Sequence, residues 1–205
     1  MMIQTVLLAA GSSSRMGEVK PLLPYQGESL VIHALKAALQ ASFRVVVVTG
    51  FYAERIEEVL KPYRETYAGH LSIIRNPHPE AGQFSSTLCG VRALDPDQTF
   101  AITMADLPLV TAGHYTRLVQ ALAGYEAVRP FCNQVPGHPV LCAAALRPIV
   151  LGLPDTATMR ELLAGRKVCN LEDDDPAWTT DIDTPEAYQR LIRFSQSTDR
   201  PSHPC

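Results

Sequence analysis

Ten residues near the N-terminus, Gly11-Ser12-Ser13-Ser14-Arg15-Met16-Gly17-Glu18-Val19-Lys20, place two glycines, three hydroxyls, a guanidinium and an ammonium directly behind an apolar run. Glycine lets a backbone approach a ligand closely and adopt positive φ. Successive N–H groups in such a turn form a concave nest for anions. Arg15 offers a planar fork for two phosphate oxygens, and Lys20 a point charge. The natural guest is a chain of phosphates; the bland alternative is a glycine-serine turn carrying surface cations. Five residues separate the glycines and Pro21 follows Lys20. That spacing matches neither the Walker loop nor the dinucleotide fingerprint GxGxxG.

Acidic residues recur later. Asp106 lies in Met104-Ala105-Asp106-Leu107-Pro108, between a strand-like run and a helix-like one. It either opens a turn before Pro108 or holds Mg²⁺, which takes a few carboxylates and keeps its remaining ligands for water or substrate. Asp181 and Asp183 precede Thr184-Pro185-Glu186, an ordinary helix start with proline in the first turn and glutamate near the positive end. Asp183 either caps that helix or points into a cleft as a second metal ligand, and Asp181 is the alternative second ligand. Two carboxylates around a phosphate-bound Mg²⁺ suit phosphoryl or nucleotidyl transfer. Asn76, Gly82, Ser85 and Ser86 form a glycine loop feeding a serine-rich helix start. Its N–H and hydroxyl groups serve either a base or anion or plain capping. His138, in Pro136-Gly137-His138-Pro139, either touches a second substrate or is a solvated turn histidine.

These groups need a frame. Ile3–Ala10 and Arg44–Gly50 are near-continuous apolar runs, as in strands covered on both faces. Leu71–Pro77, Thr99–Pro108, Tyr125–Cys132, Gly137–Ala143 and Lys167–Glu172 read as further strands. Helical spacing marks Ser29–Ala41 (Ser29 as N-cap), Ala53–Tyr63 broken near Pro62, Ser85–Leu94 opening at Ser85 or Ser86, Thr111–Ala123, a helix into Leu151, Thr156–Gly165 and Thr184–Phe194. Strand–helix alternation over the first 110 or so residues predicts a parallel sheet with right-handed crossovers. Ligands of such sheets bind at the carboxyl ends of the strands, so the loops after Ala10, Gly50, Arg75 and Met104 should share one edge. One domain is expected over 1–194, with a flexible tail over 195–205.

The bulk composition narrows the classes. The chain has 205 residues, 46% apolar and 19% charged, with a net charge of −3. That charge argues against a nucleic-acid partner. No apolar run approaches the roughly 20 residues that cross a bilayer, and no signal peptide is legible. The five cysteines form no CxxC pair, which disfavours a zinc site or a disulfide framework. A cytoplasmic protein without a membrane partner is the expectation.

Together the motifs resemble a family. LLAAGSSSRMGEVKPLLPYQGESLV is similar to the N-terminal signature of the MobA-like nucleotidyltransferases, roughly LAxGxSxRMGxxK. The Asn76–Ser86 segment, MADLP, GHPVL and DIDTPEAY resemble later blocks of the family, in order, over about residues 3–193. Within it, Leu8-Ala9-Ala10-Gly11 looks most like the molybdenum cofactor cytidylyltransferases, whose guanylyltransferase relatives carry LAGG. The resemblance implies a three-layer Rossmann-like α/β domain with a mostly parallel central sheet. It implies attack by the terminal phosphate of the molybdopterin cofactor on the α-phosphate of CTP, or of another NTP, with Mg²⁺. It places nucleotide on Ala9, Ala10, Gly11, Ser12, Ser13, Ser14, Arg15, Gly17, Lys20, Asn76, Gly82, Ser85 and Ser86. Arg15, Lys20 and Asp106 become catalytic, Asp106 and Asp183 metal-binding, and His138 acceptor-binding. A molybdoenzyme or its chaperone is an implied partner. The family's tip reads closer to GDQP, whereas Ala105 and Leu107 flank the aspartate here. That departure leaves a sugar phosphate or another phosphorylated acceptor as one alternative, and a non-catalytic accessory protein for a molybdoenzyme as another. A few proteins on this scaffold are oxidoreductases, but no dinucleotide fingerprint is visible here.

Overall fold

The computed structural model describes residues 2–13 and 17–198, with side chains described up to 193. Ten strands are present: β1 (Gln4–Ala9), β2 (Pro24–Tyr25), β3 (Glu28–Ser29), β4 (Arg44–Thr49), β5 (Leu71–Arg75), β6 (Phe100–Met104), β7 (Ala127–Cys132), β8 (Val135–Pro136), β9 (Val140–Cys142) and β10 (Val168–Glu172). Seven α-helices accompany them: α1 (Leu30–Ala41), α2 (Ala53–Thr66), α3 (Gln83–Arg92), α4 (Ala112–Ala121), α5 (Arg147–Gly152), α6 (Met159–Leu163) and α7 (Pro185–Thr198).

The main sheet runs β10-β7-β9-β6-β1-β4-β5, with β8 on β7. β1 pairs in parallel with β4 and β6, β4 with β5, and β7 with β10. Only β9 and the short β8 run against this direction. β2 and β3 form a separate hairpin.

β1 shows why this sheet is buried on both sides. Leu7 and Ala9 pack into one core with α1, α2 and α4 residues such as Leu35, Ile56 and Leu118. Val6 and Leu8 pack into the other with Phe84, Leu88, Val150 and Leu162 from α3, α5 and α6. Successive strand residues point to opposite faces, so an unbroken apolar run is what two covering layers require. Three layers result, as expected. α3 lies so close to β1 that a Cβ on Gly90 would sit 2.3 Å from Val6 Cγ1. A third cluster of Leu23, Tyr25, Leu30, Ile182 and Leu191 fastens α7 to the β2–β3 hairpin.

Three boundaries differ from expectation. α2 runs through Pro62 to Thr66. Pro62 is on the exposed face, where water can satisfy the carbonyl its missing N–H leaves open. α3 begins at Gln83 after Gly82, whose φ of +111° suits glycine, so the serines fall inside the helix. α7 extends beyond Phe194 to Thr198, four residues into the expected tail. The rest of that tail, 199–205, lies outside the described residues.

Candidate functional site

The carboxyl ends of β1, β4, β5 and β6 open on one edge, and a cleft of about 530 Å³ lies there. Its floor begins with the β1 loop. Ala9, Ala10, Gly11, Ser12 and Ser13 all line it. Ser13 is nearly buried, takes a φ of +51°, and its Oγ accepts the Lys20 backbone N–H at 3.0 Å. The loop thereby closes on itself and delivers Lys20 to the cleft. Tyr52 Oη donates to the Ser12 carbonyl at 2.8 Å. Ser14 and Arg15 lie outside the described residues. Gly17 has a φ of +68°, the left-handed turn expected of it, but is not part of the cleft wall.

Lys20 is the meeting point of charge. Its Nζ donates to Asp106 Oδ2 at 2.7 Å and also to Asp183 Oδ1. Burial by itself would depress the ammonium pKa, but the Asp106 and Asp183 carboxylates outweigh burial and hold it above its ordinary value. Lys20 is therefore cationic at any physiological pH. Asp106 follows β6 directly, and its carbonyl accepts the Ile182 N–H at 3.2 Å. This bond ties the 181–183 stretch to the tip of β6. The helix-capping alternative for Asp183 is not what the geometry shows: Thr184 Oγ1 accepts the Ala187 N–H at 3.2 Å and caps α7. Asp181 also lines the cleft. Its carboxyl pKa is raised by burial and then by the neighbouring Asp183 and Asp106 charges.

The donor set fits a divalent ion shared with substrate. Two carboxylates converge on one point, now spanned by an ammonium. Asp106 Oδ1 is buried without a hydrogen-bond partner. Among the described residues, no three acidic, histidine or cysteine side chains are spaced to cage a metal unaided. Mg²⁺ suits such a site, because it binds one or two carboxylates and takes phosphate oxygens for the rest.

Other expected residues fall elsewhere. Gly82 and Ser86 line the cleft, but Asn76 and Ser85 do not. Asn76 Nδ2 donates to Ser85 Oγ at 2.8 Å and Ser86 Oγ at 2.9 Å, while Ser85 Oγ donates to the Gly82 carbonyl at 2.7 Å. These two brace the loop before α3. The structure also does not bring His138 to the cleft. Its N–H donates to the Trp178 carbonyl at 2.9 Å, and its Nδ1 faces the Ile102 carbonyl at 3.4 Å. Burial lowers the imidazole pKa, while Ile102 and the Asp106 charge pull it back in part. His138 thus lies outside the cleft wall, bonded to the backbone of Trp178 and Ile102. Phe51, which also lines the cleft, was not singled out by sequence reasoning, and Pro79, Glu80 and Gln83 were covered only as part of the Asn76–Ser86 segment. Only their place after β4 and β5, at the ligand-binding edge, could have pointed to them.

The β1 loop, a cationic lysine and two carboxylates thus meet in one cleft, a combination suited to nucleotidyl transfer. Known proteins resemble the chain along most of its length. The chain is 30% identical to the molybdenum cofactor cytidylyltransferase of Escherichia coli K12, over 91% of this chain and 93% of that one. It is 31% identical to the purine catabolism protein PucB of Bacillus subtilis 168, over 92% and 95%. A solved nucleotidyl transferase from Methanothermobacter thermautotroptrophicus superposes with a TM-score of 0.81 at 26% identity, covering 97% of this chain and 99% of that one. Residues 5–173 match the model of the MobA-like NTP transferase domain, and with the Lys20–Asp106 pair sitting inside that span the chain belongs to this family.

Proposed function

We propose that the protein transfers CMP from CTP to the terminal phosphate of the molybdopterin cofactor and releases pyrophosphate. The observation that carries this reading is the Lys20 ammonium held by both Asp106 and Asp183 at the mouth of the Gly11–Ser13 nest. Such a centre stabilises charge where phosphates meet and needs no nucleophilic side chain. The cytidyl choice rests on Ala10 and on the likeness to the Escherichia coli cytidylyltransferase.

The triphosphate lies along the β1 loop, where backbone N–H groups and the Ser12 and Ser13 hydroxyls receive its oxygens. Arg15 takes the β- and γ-phosphates. Lys20 turns its ammonium to the α-phosphate and offsets the charge that builds as the acceptor arrives. An oxygen of the acceptor phosphate forms the new P–O bond, and the bond to the β-phosphate breaks. The acceptor is already ionised, so no proton need be removed and positioning supplies most of the rate. Asp106 and Asp183 would hold Mg²⁺, which when bound neutralises phosphate charge. Ala9 and Ala10 offer the base only backbone groups and small methyls.

Pyrophosphate release from CTP tests the reading directly. It should require molybdopterin and Mg²⁺ and fail with sugar phosphates. Release driven by a sugar phosphate instead would move the chain to the second reading, a transferase for another phosphorylated acceptor. That reading is favoured by the apolar Ala105 and Leu107 beside Asp106, both almost wholly buried. Ala10→Gly should relax the preference for CTP over GTP, and an unchanged preference would remove Ala10 from base selection.

A further inference from the structure

A phosphate cleft has no need of an exposed aromatic ring, yet Phe51 is 48% exposed and lines this one. It is the only aromatic side chain among the described residues of the cleft wall. Among the described residues, the other exposed phenylalanine or tyrosine rings, Tyr67 and Tyr125, lie away from it.

The backbone that carries the ring is also closely held. A Cβ on Gly50 would fall 2.8 Å from both Ala10 Cβ and the Ala10 carbonyl oxygen, and 2.9 Å from Pro79 Cβ. Only glycine lets the tip of β4 press against the tip of β1 this closely. The Phe51 N–H then reaches the Ala10 carbonyl at 3.4 Å, and Tyr52 Oη holds the Ser12 carbonyl at 2.8 Å. Three consecutive residues, 50 to 52, are thus fastened to the same loop that receives the phosphates. The remaining wall near Ala10 adds Pro79 and groups able to hydrogen-bond, such as the Gln83 amide and the Ser86 hydroxyl, but no second aromatic ring among the described residues.

We propose that Phe51 covers the face of the nucleobase of the bound NTP and supplies affinity for nucleotide as such; this rests on the nucleotidyl-transfer reading above. Every base has a π-face, so stacking tolerates any of them. Phe51 therefore strengthens binding without choosing the base.

The test compares CTP with inorganic tripolyphosphate, each with Mg²⁺, by calorimetric titration of wild type, Phe51→Ala, Phe51→Leu and Phe51→Trp. Because Phe51 is exposed, equal melting temperatures without ligand should confirm that all four fold alike. Phe51→Ala should weaken CTP by about tenfold, within the range of one base–aromatic stack. GTP should weaken by a similar factor, tripolyphosphate should bind unchanged, and Phe51→Trp should bind CTP at least as well as wild type. Equal losses for CTP and tripolyphosphate, no loss for CTP, or full affinity in Phe51→Leu would overturn the stacking role. Wild type that binds tripolyphosphate but no NTP would overturn the transfer reading instead, and the stack with it.

Discussion

The two charged walls of the cleft are built in opposite ways. The cationic wall is local. Gly11 to Lys20 is one continuous stretch, closed on itself by the Ser13–Lys20 bond and set by the end of one strand. The acidic wall is assembled from distant parts. Asp106 follows β6, while Asp181 and Asp183 arrive on a segment outside any strand or helix. That segment is mounted by a polar hub around Trp178, which is fully buried. Trp178 Nε1 donates to Asp173 Oδ2 at 2.8 Å. Arg117 pairs with Asp173 and lies 5.5 Å above the indole. His114 meets the indole edge-on at 4.4 Å and reaches Asp175 at 3.1 Å. The Trp178 carbonyl receives the His138 N–H, and a Cβ on Gly137 would come within 2.3 Å of that oxygen. The cationic wall is one stretch closed on itself and held by the neighbouring residues 50–52, whereas the acidic wall needs α4, the Gly137–His138 turn and the tip of β6 together.

The difference predicts unequal responses to substitution. Asp106→Ala strikes where the walls meet. It should cut turnover by about a thousandfold, on the scale of losing a group that stabilises developing charge, while circular dichroism shows an intact fold; normal turnover would sink the assignment. Lys20→Ala should lower kcat by about a hundredfold and raise the nucleotide KM much less. A change in KM alone would make Lys20 a binding residue.

Much of this frame was legible before any coordinates. Apolar runs and helical spacing located the strands and the three layers, because burial on both faces leaves a continuous pattern. The loop proposed to receive phosphates was legible because its groups are consecutive. Pro62 and the α3 start were misplaced for local reasons: a solvated carbonyl tolerates proline, and Gly82, not a serine, precedes the helix. Asn76 and Ser85 use their polar groups to brace the loop before α3, and His138 bonds the Trp178 and Ile102 backbone; those partners are tertiary, and spacing along the chain does not show them. The Trp178 hub left no signal at all, since nothing in the spacing of His114, Arg117, Asp173 and Trp178 links them.

Smaller effects sharpen the contrast. Arg117→Ala loosens the hub without touching the cleft. It should lower kcat several-fold, about the cost of a misplaced catalytic carboxylate, and leave tripolyphosphate affinity unchanged. A weakened tripolyphosphate affinity would show that the walls are not independent. His138 should affect only stability. Its pKa is lowered in the folded chain, so the folded state binds that proton less readily than the unfolded one. Stability is then full above the ordinary value of 6.5 and declines as pH falls below it. His138→Asn should lose less melting temperature than wild type between about pH 7.5 and about pH 5.5. Equal losses would show that another group sets the acid limit.

The central claim is that the Gly11–Lys20 loop and the Asp106–Asp183 pair form one nucleotide-transfer centre. The most direct measurement is thermal-shift titration with CTP, GTP, ATP and UTP, each with Mg²⁺, on wild type and Lys20→Ala. A ligand that binds only the folded state raises the melting temperature by mass action. The account predicts the largest rise with CTP in wild type, and a smaller one that keeps the same nucleotide order in Lys20→Ala. Wild type left unmoved by all four nucleotides would contradict it.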